Sequence, residues 1–249
     1  MTTGVIVQAR LGSTRLPGKV LMPLAGRSVL AWVLDRCGAI PGIDGVCCAI
    51  PEGVDDEDVA REARLCGVPV FRGSEQDVLD RYYRAAGAFG FDTVMRVTSD
   101  CPLIDPWLCA RVLSMLTRAR VDYACNNLPP SWPHGLDCEA MSFDWLARAA
   151  SEADEPYDRE HVTPYIRRHP DALRVNLARL GPSTYHHRWT LDTCIDLWFL
   201  QEIAQRMPAG PAGWDHRVAL ALAEADPALA AMNAVPPPLP VAALLAGSR

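Results

Sequence analysis

Five short apolar runs, separated by four segments of helical length, fill the first half of this chain and constrain its fold more than any other feature. The runs are GVIVQ (4–8), GVCCAI (45–50), VPVF (68–71), DTVMRVT (92–98) and DYAC (122–125). Short uninterrupted apolar runs mark strands buried on both faces. The segments between them carry helix-start signals. Ser28 precedes apolar positions at Leu30, Val33 and Leu34; Asp55 and Asp56 open a helix that Gly67 closes; Ser74-Glu75-Gln76-Asp77 matches a capping pattern for a helix running to Phe89; and Asp105-Pro106 starts another. Strands alternating with helices imply an α/β fold with a mostly parallel sheet flanked by helices. Ligands in such sheets bind beyond the carboxyl ends of the strands. An active site is therefore expected from 9–19, 51–55, 72–74, 99–105 and 126–135.

After residue 126 the alternation breaks. The sequence predicts a strand over 136–142, helices over 143–153 and 158–168, a return strand over YHHRWTL (185–191) and a helix over 195–207. Trp107, Trp145, Trp198 and Trp214 fall in helical patterns and are expected in the core. We expect one domain over 1–249: a first half (1–125), a smaller second subregion (126–210), and a C-terminal helix with a proline-rich tail (211–249) that docks as an arm or stays mobile.

With 49% hydrophobic residues the chain can bury a sizeable core, and its net charge of −6 argues against a broad nucleic-acid-binding face. No stretch is long and apolar enough for a membrane span, and the N-terminus runs directly into a strand pattern, so a cytoplasmic protein with no membrane partner is expected. The nine cysteines include no C-x-x-C pair and read as small buried hydrophobes rather than a zinc site. Of 24 basic residues only Lys19 is a lysine. Its retention points to chemistry that a guanidinium cannot supply.

Lys19 ends the strongest local signal, Ala9-Arg10-Leu11-Gly12-Ser13-Thr14-Arg15-Leu16-Pro17-Gly18-Lys19. Glycines let successive N–H groups converge on one anion, and Arg10, Arg15 and Lys19 add three positive charges. Val20 stands where a Walker A loop needs Ser or Thr, and the spacing is not that of the dinucleotide-binding fingerprint. A triphosphate cradle and a basic surface turn both fit these residues.

The run 12–19 resembles the signature loop of sugar nucleotidyltransferases. The longer run 5–36 resembles cytidylyltransferases of the spore-coat polysaccharide biosynthesis type, relatives of the acylneuraminate and 3-deoxy-manno-octulosonate (Kdo) cytidylyltransferases. The resemblance continues through 68–86, RVTSDCPLIDP (96–106), YDREHVTPYIRRHP (157–170) and RWTLDTCIDL (188–197). It implies a Rossmann-like, GT-A-like nucleotidyltransferase fold with an acceptor and dimerisation subregion. It also implies CTP as substrate, Mg²⁺ as cofactor, pyrophosphate release, and a small anionic acceptor (sugar acid, phosphonate or phosphosugar) used in surface-glycan synthesis. Relatives often pair through the second-half insertion, which makes a homodimer the expectation.

By this resemblance Lys19, Arg10 and Arg15 are catalytic, and Ala9, Leu11, Gly12, Ser13, Arg72, Gly73, Ser74 and Thr98 complete the nucleotide site. Asp100 and Asp192 match the two metal-binding positions, although Ser99 replaces the usual glycine and Cys194-Ile195 the usual Pro-Glu. A lone Asp in such places also serves as a turn or helix cap, just as Ser74 serves as a helix cap. His134, Asp137, Glu139, Tyr157, Glu160, His161 and Arg188 are the candidates for the acceptor. His134 follows a proline-rich loop (Pro129, Pro130, Pro133) that suits a rigid lid. His186 and His187 are adjacent, so at most one could face the site. Two other functional classes fit less well. A GT-A-type glycosyltransferase would typically carry D-x-D near strand four, where this chain reads Thr98-Ser99-Asp100-Cys101. A non-catalytic nucleotide-binding partner would not need Lys19, Asp100 and Asp192.

Overall fold

The computed structural model describes residues 1–208 and 214–234. In chain order its strands are β1 (Thr3–Gln8), β2 (Pro23–Leu24), β3 (Arg27–Ser28), β4 (Gly45–Pro51), β5 (Val70–Gly73), β6 (Thr93–Thr98), β7 (Tyr123–Cys125), β8 (Glu139–Ser142) and β9 (Arg174–Asn176). The helices are α1 (Val29–Gly38), α2 (Glu57–Leu65), α3 (Val78–Phe89), α4 (Pro106–Ala119), α5 (Phe143–Glu152), α6 (Pro156–His161), α7 (Pro164–Arg168), α8 (Cys194–Arg206), α9 (His216–Ala225) and α10 (Pro227–Ala231). Seven strands form one sheet in the order β5-β4-β1-β6-β8-β7-β9. Only β8 runs antiparallel to its neighbours; every other pairing in this sheet is parallel.

The apolar runs became strands because both of their faces are covered. Along β1, Val5 and Val7 enter one core layer and Ile6 the other, and all three are fully buried. Burying each such side chain stabilises the fold by roughly 1.5–3 kcal/mol. The first layer packs α1, α2, α4, α8 and α9 against the sheet, and the second packs α3, α5 and α7. Ser28 caps α1 by accepting from Ala31 N, and Asp105 caps α4 by accepting from Leu108 N.

Several expectations need correction. Asp77, not Ser74, caps α3: Asp77 Oδ1 accepts from Asp80 N, while Ser74 Oγ accepts from Asp77 N one turn earlier. The helix expected over 158–168 is two short helices, broken at Val162 (φ 72°) before Pro164. Pro164 has no N–H to continue the ladder. Segment 185–191 is not a strand. It meets the 131–134 loop through a single bridge between His134 and Arg188. Trp189, Thr190 and Leu191 are buried in succession rather than alternately. The edge strand β9 was not foreseen, since Arg-Val-Asn offers one apolar residue.

Trp214 is buried and stacks on Trp32, with ring centroids 3.8 Å apart. Trp107 and Trp198 are exposed on the outer faces of α4 and α8 rather than in the core. The cysteines of the chain are free thiols, seven of them buried. The proline-rich tail from residue 235 onward lies outside the described residues. Among those described, no helix is long and apolar enough to cross a membrane.

Candidate active site at the carboxyl edge of the sheet

The loop after β1 is folded by its own backbone. Gly18 N donates to Leu11 O (3.0 Å), closing the loop, and Leu11 N donates to Asp56 Oδ1 at the start of α2. Gly18 adopts φ 70°, a conformation that costs a side-chain-bearing residue energy, and it launches a 3-10 turn over Lys19–Leu21. That turn drives Lys19 inward beneath the loop.

Two other chain segments meet Lys19 there. The end of β6 delivers Asp100, with Ser99 N hydrogen-bonded to Gln8 O of β1 (3.2 Å). The irregular 185–191 segment delivers Asp192, because Leu191 N donates to Asp100 O (2.8 Å) and stitches the two acidic turns together. Gly135 permits the close packing behind this segment, as a Cβ there would sit 2.6 Å from the Trp189 carbonyl carbon. Lys19 Nζ thus lies 2.7 Å from Asp100 Oδ2 and 2.8 Å from Asp192 Oδ1. Burial alone would push the ammonium down, but Asp100 and then Asp192 outweigh it and hold Lys19 above its usual value. Burial likewise works against ionised Asp192, and it is overcome by the hydrogen bond and charge of Lys19 and by the charges of Arg15 and Arg188, so its carboxyl lies below the ordinary range. Arg15 Nη2 reaches Asp192 Oδ1 at 2.8 Å, and Arg188 grips Oδ2.

Lys19, Asp100, Asp192 and Arg15 line a cavity of about 250 Å³, together with Gln8, Ala9, Arg10, Gly12, Ser13, Thr14, Val20, Val78, Arg81, Thr98, Ser99, Glu160 and His161. Arg10, Arg15, Lys19 and Arg81 bring four positive charges to it. Two buried polar atoms of its wall, Gln8 Oε1 and Arg81 Nε, have no hydrogen-bond partner among the described residues. A second concavity of about 610 Å³ adjoins it across Arg10, Val78 and Glu160, and is lined further by Glu75, Gln76, Asp77 and Arg159.

The remaining expected residues lie elsewhere. Leu11 supports the loop without lining the cavity. Arg72 is bound to Glu57 and to the carbonyl of Gly53 (2.8 Å), and neither it nor Gly73 lines either concavity. Ser74 contributes its carbonyl to Arg81 Nη1 (2.6 Å) and so helps aim a cavity residue. His134 Nδ1 faces Asp137 Oδ2 at 3.1 Å, outside the cavity wall, in a loop tied down by Asn126 Nδ2 to Leu136 O and Trp132 Nε1 to Leu177 O. Tyr157 is exposed, with its ring 4.3 Å from that of His161. His187 is buried and His186 exposed, and neither lines the cavity.

Glu139 is the clearest correction. It is buried beneath β8, where Arg96, Arg167, Tyr123 and Thr163 saturate its carboxylate. Burial opposes its charge, yet Arg167 and Arg96 pull it down to about 2. Oε1 is taken by Tyr123, Thr163 and Arg167 and Oε2 by Arg96, and the group lines neither concavity. Conversely, sequence reasoning missed Gln8 and Arg81 in the wall, and Asp196 behind it. Thr193-x-x-Asp196 is a capping box, and that pattern was available to read.

A parallel α/β sheet with a cationic glycine-rich loop and two acidic turns at its carboxyl edge defines a nucleotide-handling transferase. The family model "Cytidylyltransferase" matches residues 4–208, and the chain belongs to that family; it is a nucleotidyltransferase. The spore coat polysaccharide biosynthesis protein SpsF of Bacillus subtilis is 32% identical over 215 residues, covering 83% of this chain and 88% of its own. The 3-deoxy-manno-octulosonate cytidylyltransferase of Maricaulis maris is 30% identical over 202 residues, covering 75% and 71%. Among solved structures, a cytidylyltransferase from Leptospira borgpetersenii superposes with a TM-score of 0.87 at 27% identity, covering 92% of this chain and 97% of that one.

Proposed function

We propose that the protein transfers CMP from CTP to a sugar acid and releases pyrophosphate, in the synthesis of a surface polysaccharide. The observation that carries this reading is the Lys19 ammonium held between Asp100 and Asp192 inside a cavity walled by three arginines. Family membership and the likeness to Kdo cytidylyltransferases support CTP and a sugar-acid acceptor. The likeness to SpsF supports the polysaccharide setting.

In this reading Lys19, Arg10, Arg15 and Arg81 take up the triphosphate charge. The acceptor oxygen forms a bond to the α-phosphorus as the bond to the α–β bridging oxygen breaks; pyrophosphate departs with the electron pair, and the proton of an attacking hydroxyl passes to water. Phosphoryl chemistry of this kind asks the protein for positioning and charge neutralisation rather than covalent participation. The loop amides of Arg10, Gly12 and Ser13 orient the phosphates, with Thr98 alongside. Glu75 and Gln76 open the second concavity next to Ser74, where the cytosine end is accommodated. Glu160, at the junction of the two concavities, and His161 beside it face the acceptor; Arg188, His134, Asp137 and Tyr157 lie outside both concavities.

The donor set fits a hard divalent cation. Two carboxylates already converge on one cationic nitrogen, all donors are oxygens, and Mg²⁺ is content with one or two carboxylates plus phosphate and water. Asp100 and Asp192 would hold it, and it would supply charge neutralisation beside the α-phosphate. Lys19 occupies that point between them, so its ammonium must move towards the phosphates as they arrive.

Pyrophosphate release from CTP and Mg²⁺ across a panel of sugar acids is the direct test. Turnover with one sugar acid, abolished in Asp100→Asn and Asp192→Asn proteins of unchanged melting temperature, is expected. Consumption of a nucleotide sugar without pyrophosphate would overturn the assignment.

A further inference from the structure

Asp192 is positioned by a layer of residues that touches neither cavity. Asp196 is almost completely buried, and its carboxylate is fully used. Oδ2 accepts from Asp192 N (2.9 Å), Thr193 N (2.8 Å) and Thr193 Oγ1 (3.0 Å). Oδ1 accepts from Arg188 Nε (3.0 Å) and from Asn233 Nδ2 (3.0 Å). Asn233 Nδ2 also donates to Arg188 O (2.8 Å), so one amide holds both the backbone of Arg188 and its carboxylate partner. Arg188 in turn grips Asp192 Oδ2. Asn233 follows α10, 41 residues beyond Asp192.

We infer that Asn233 and Asp196 are positioning residues for the Asp192 carboxylate, so that the segment after α10 sets the cation-binding geometry from behind; this rests on the reading of Asp192 as a cation ligand. Two routes converge on Asp192. Asp196 Oδ2 fixes its backbone, and the Asn233–Asp196–Arg188 chain fixes its side chain. The second route matters because Arg188 competes for the lone pairs that a cation needs. While Asp196 and Asn233 hold Arg188 at both its Nε and its carbonyl, the guanidinium can take one oxygen of Asp192 and leave the other facing Lys19. Released from Asn233, Arg188 can pivot onto both oxygens. Outer partners of metal ligands commonly govern affinity in this way.

The test titrates Mn²⁺ into protein with CTP and no acceptor, followed by water-proton relaxation well below the melting temperature. Asp192→Asn serves as the reference and should weaken Mn²⁺ binding most. Asn233→Ala should weaken it by about tenfold. Asn233→Asp, nearly the same shape, should weaken it further, because it places a carboxylate against Asp196 Oδ1. With saturating Mn²⁺, the Kd for CTP should stay at the wild-type value in both Asn233 variants. A packing role predicts the reverse order, with the isosteric Asp milder than Ala, and that result would overturn the inference. So would wild-type Mn²⁺ binding in Asn233→Ala, which keeps the test decisive should the Asp variant fail to fold. Unchanged binding in Asp192→Asn would instead locate the failure in the reading of the site itself.

Discussion

Glu139 and Asp192 are both carboxylates gripped by cations, and they do opposite work. Glu139 sits at 2% exposure, with Arg96 from β6 and Arg167 from α7 locked in regular structure around it. Asp192 sits at 13% side-chain exposure, and one of its cations, Arg15, is 63% exposed on a loop. The first carboxylate is saturated by partners that cannot leave. In the proposed reading the second is held by partners that move off when a phosphate or a divalent ion arrives. Charge pairing alone therefore does not mark a functional acid; the freedom of its partners does.

The largest expected effect lies on the Asp192 side. Lys19→Ala should cut CMP transfer by about a thousandfold, as removal of a transition-state cation does, with a melting temperature close to wild type. A comparably folded variant of near-normal rate would break the contrast. Next, Glu139→Gln should destabilise the fold by roughly 3–5 kcal/mol in denaturant titration, since it strands two guanidinium groups. The folded fraction should keep a near-normal rate constant. Loss of rate without loss of stability would move Glu139 into the site.

Acid should separate the two next. Glu139 lies near 2 when folded, against an ordinary 4.5. The unfolded chain therefore takes up its proton first, and stability falls as the pH drops from about 4.5 towards 2. That single group accounts for roughly 3 kcal/mol of the loss, and the Glu139→Gln protein should lack this part of the slope. The smallest effect belongs to Arg15→Ala. An exposed pair contributes under about 1 kcal/mol, so stability should barely change while the KM for CTP rises several-fold.

Legibility followed burial on two faces. β1, β4 and β6 were readable because a strand covered on both sides must be mostly apolar, and α1 and α4 because Ser28 and Asp105 cap them as their types suggest. The loop 9–19 was readable because glycines and cations of this density have few other uses. In the second half α5 and α8 stand within a residue of where the sequence puts them; 158–168 and 185–191 were not readable, because their order comes from tertiary contacts. Nothing in YHHRWTL says that one hydrogen bond from Leu191 to Asp100 will replace a strand. Glu139 looked like its neighbours because sequence lists polar groups without saying which are already satisfied. Asn233 escaped notice for the same reason, its partners being supplied by a distant helix cap.

The scarcity of lysine has a practical corollary. Apart from the α-amino group, the chain presents a single amine to any acylating or imine-forming reagent, and that amine is Lys19, clamped by Asp100 and Asp192. Labelling of one residue therefore becomes an occupancy gauge for the whole cavity, with no engineered probe required.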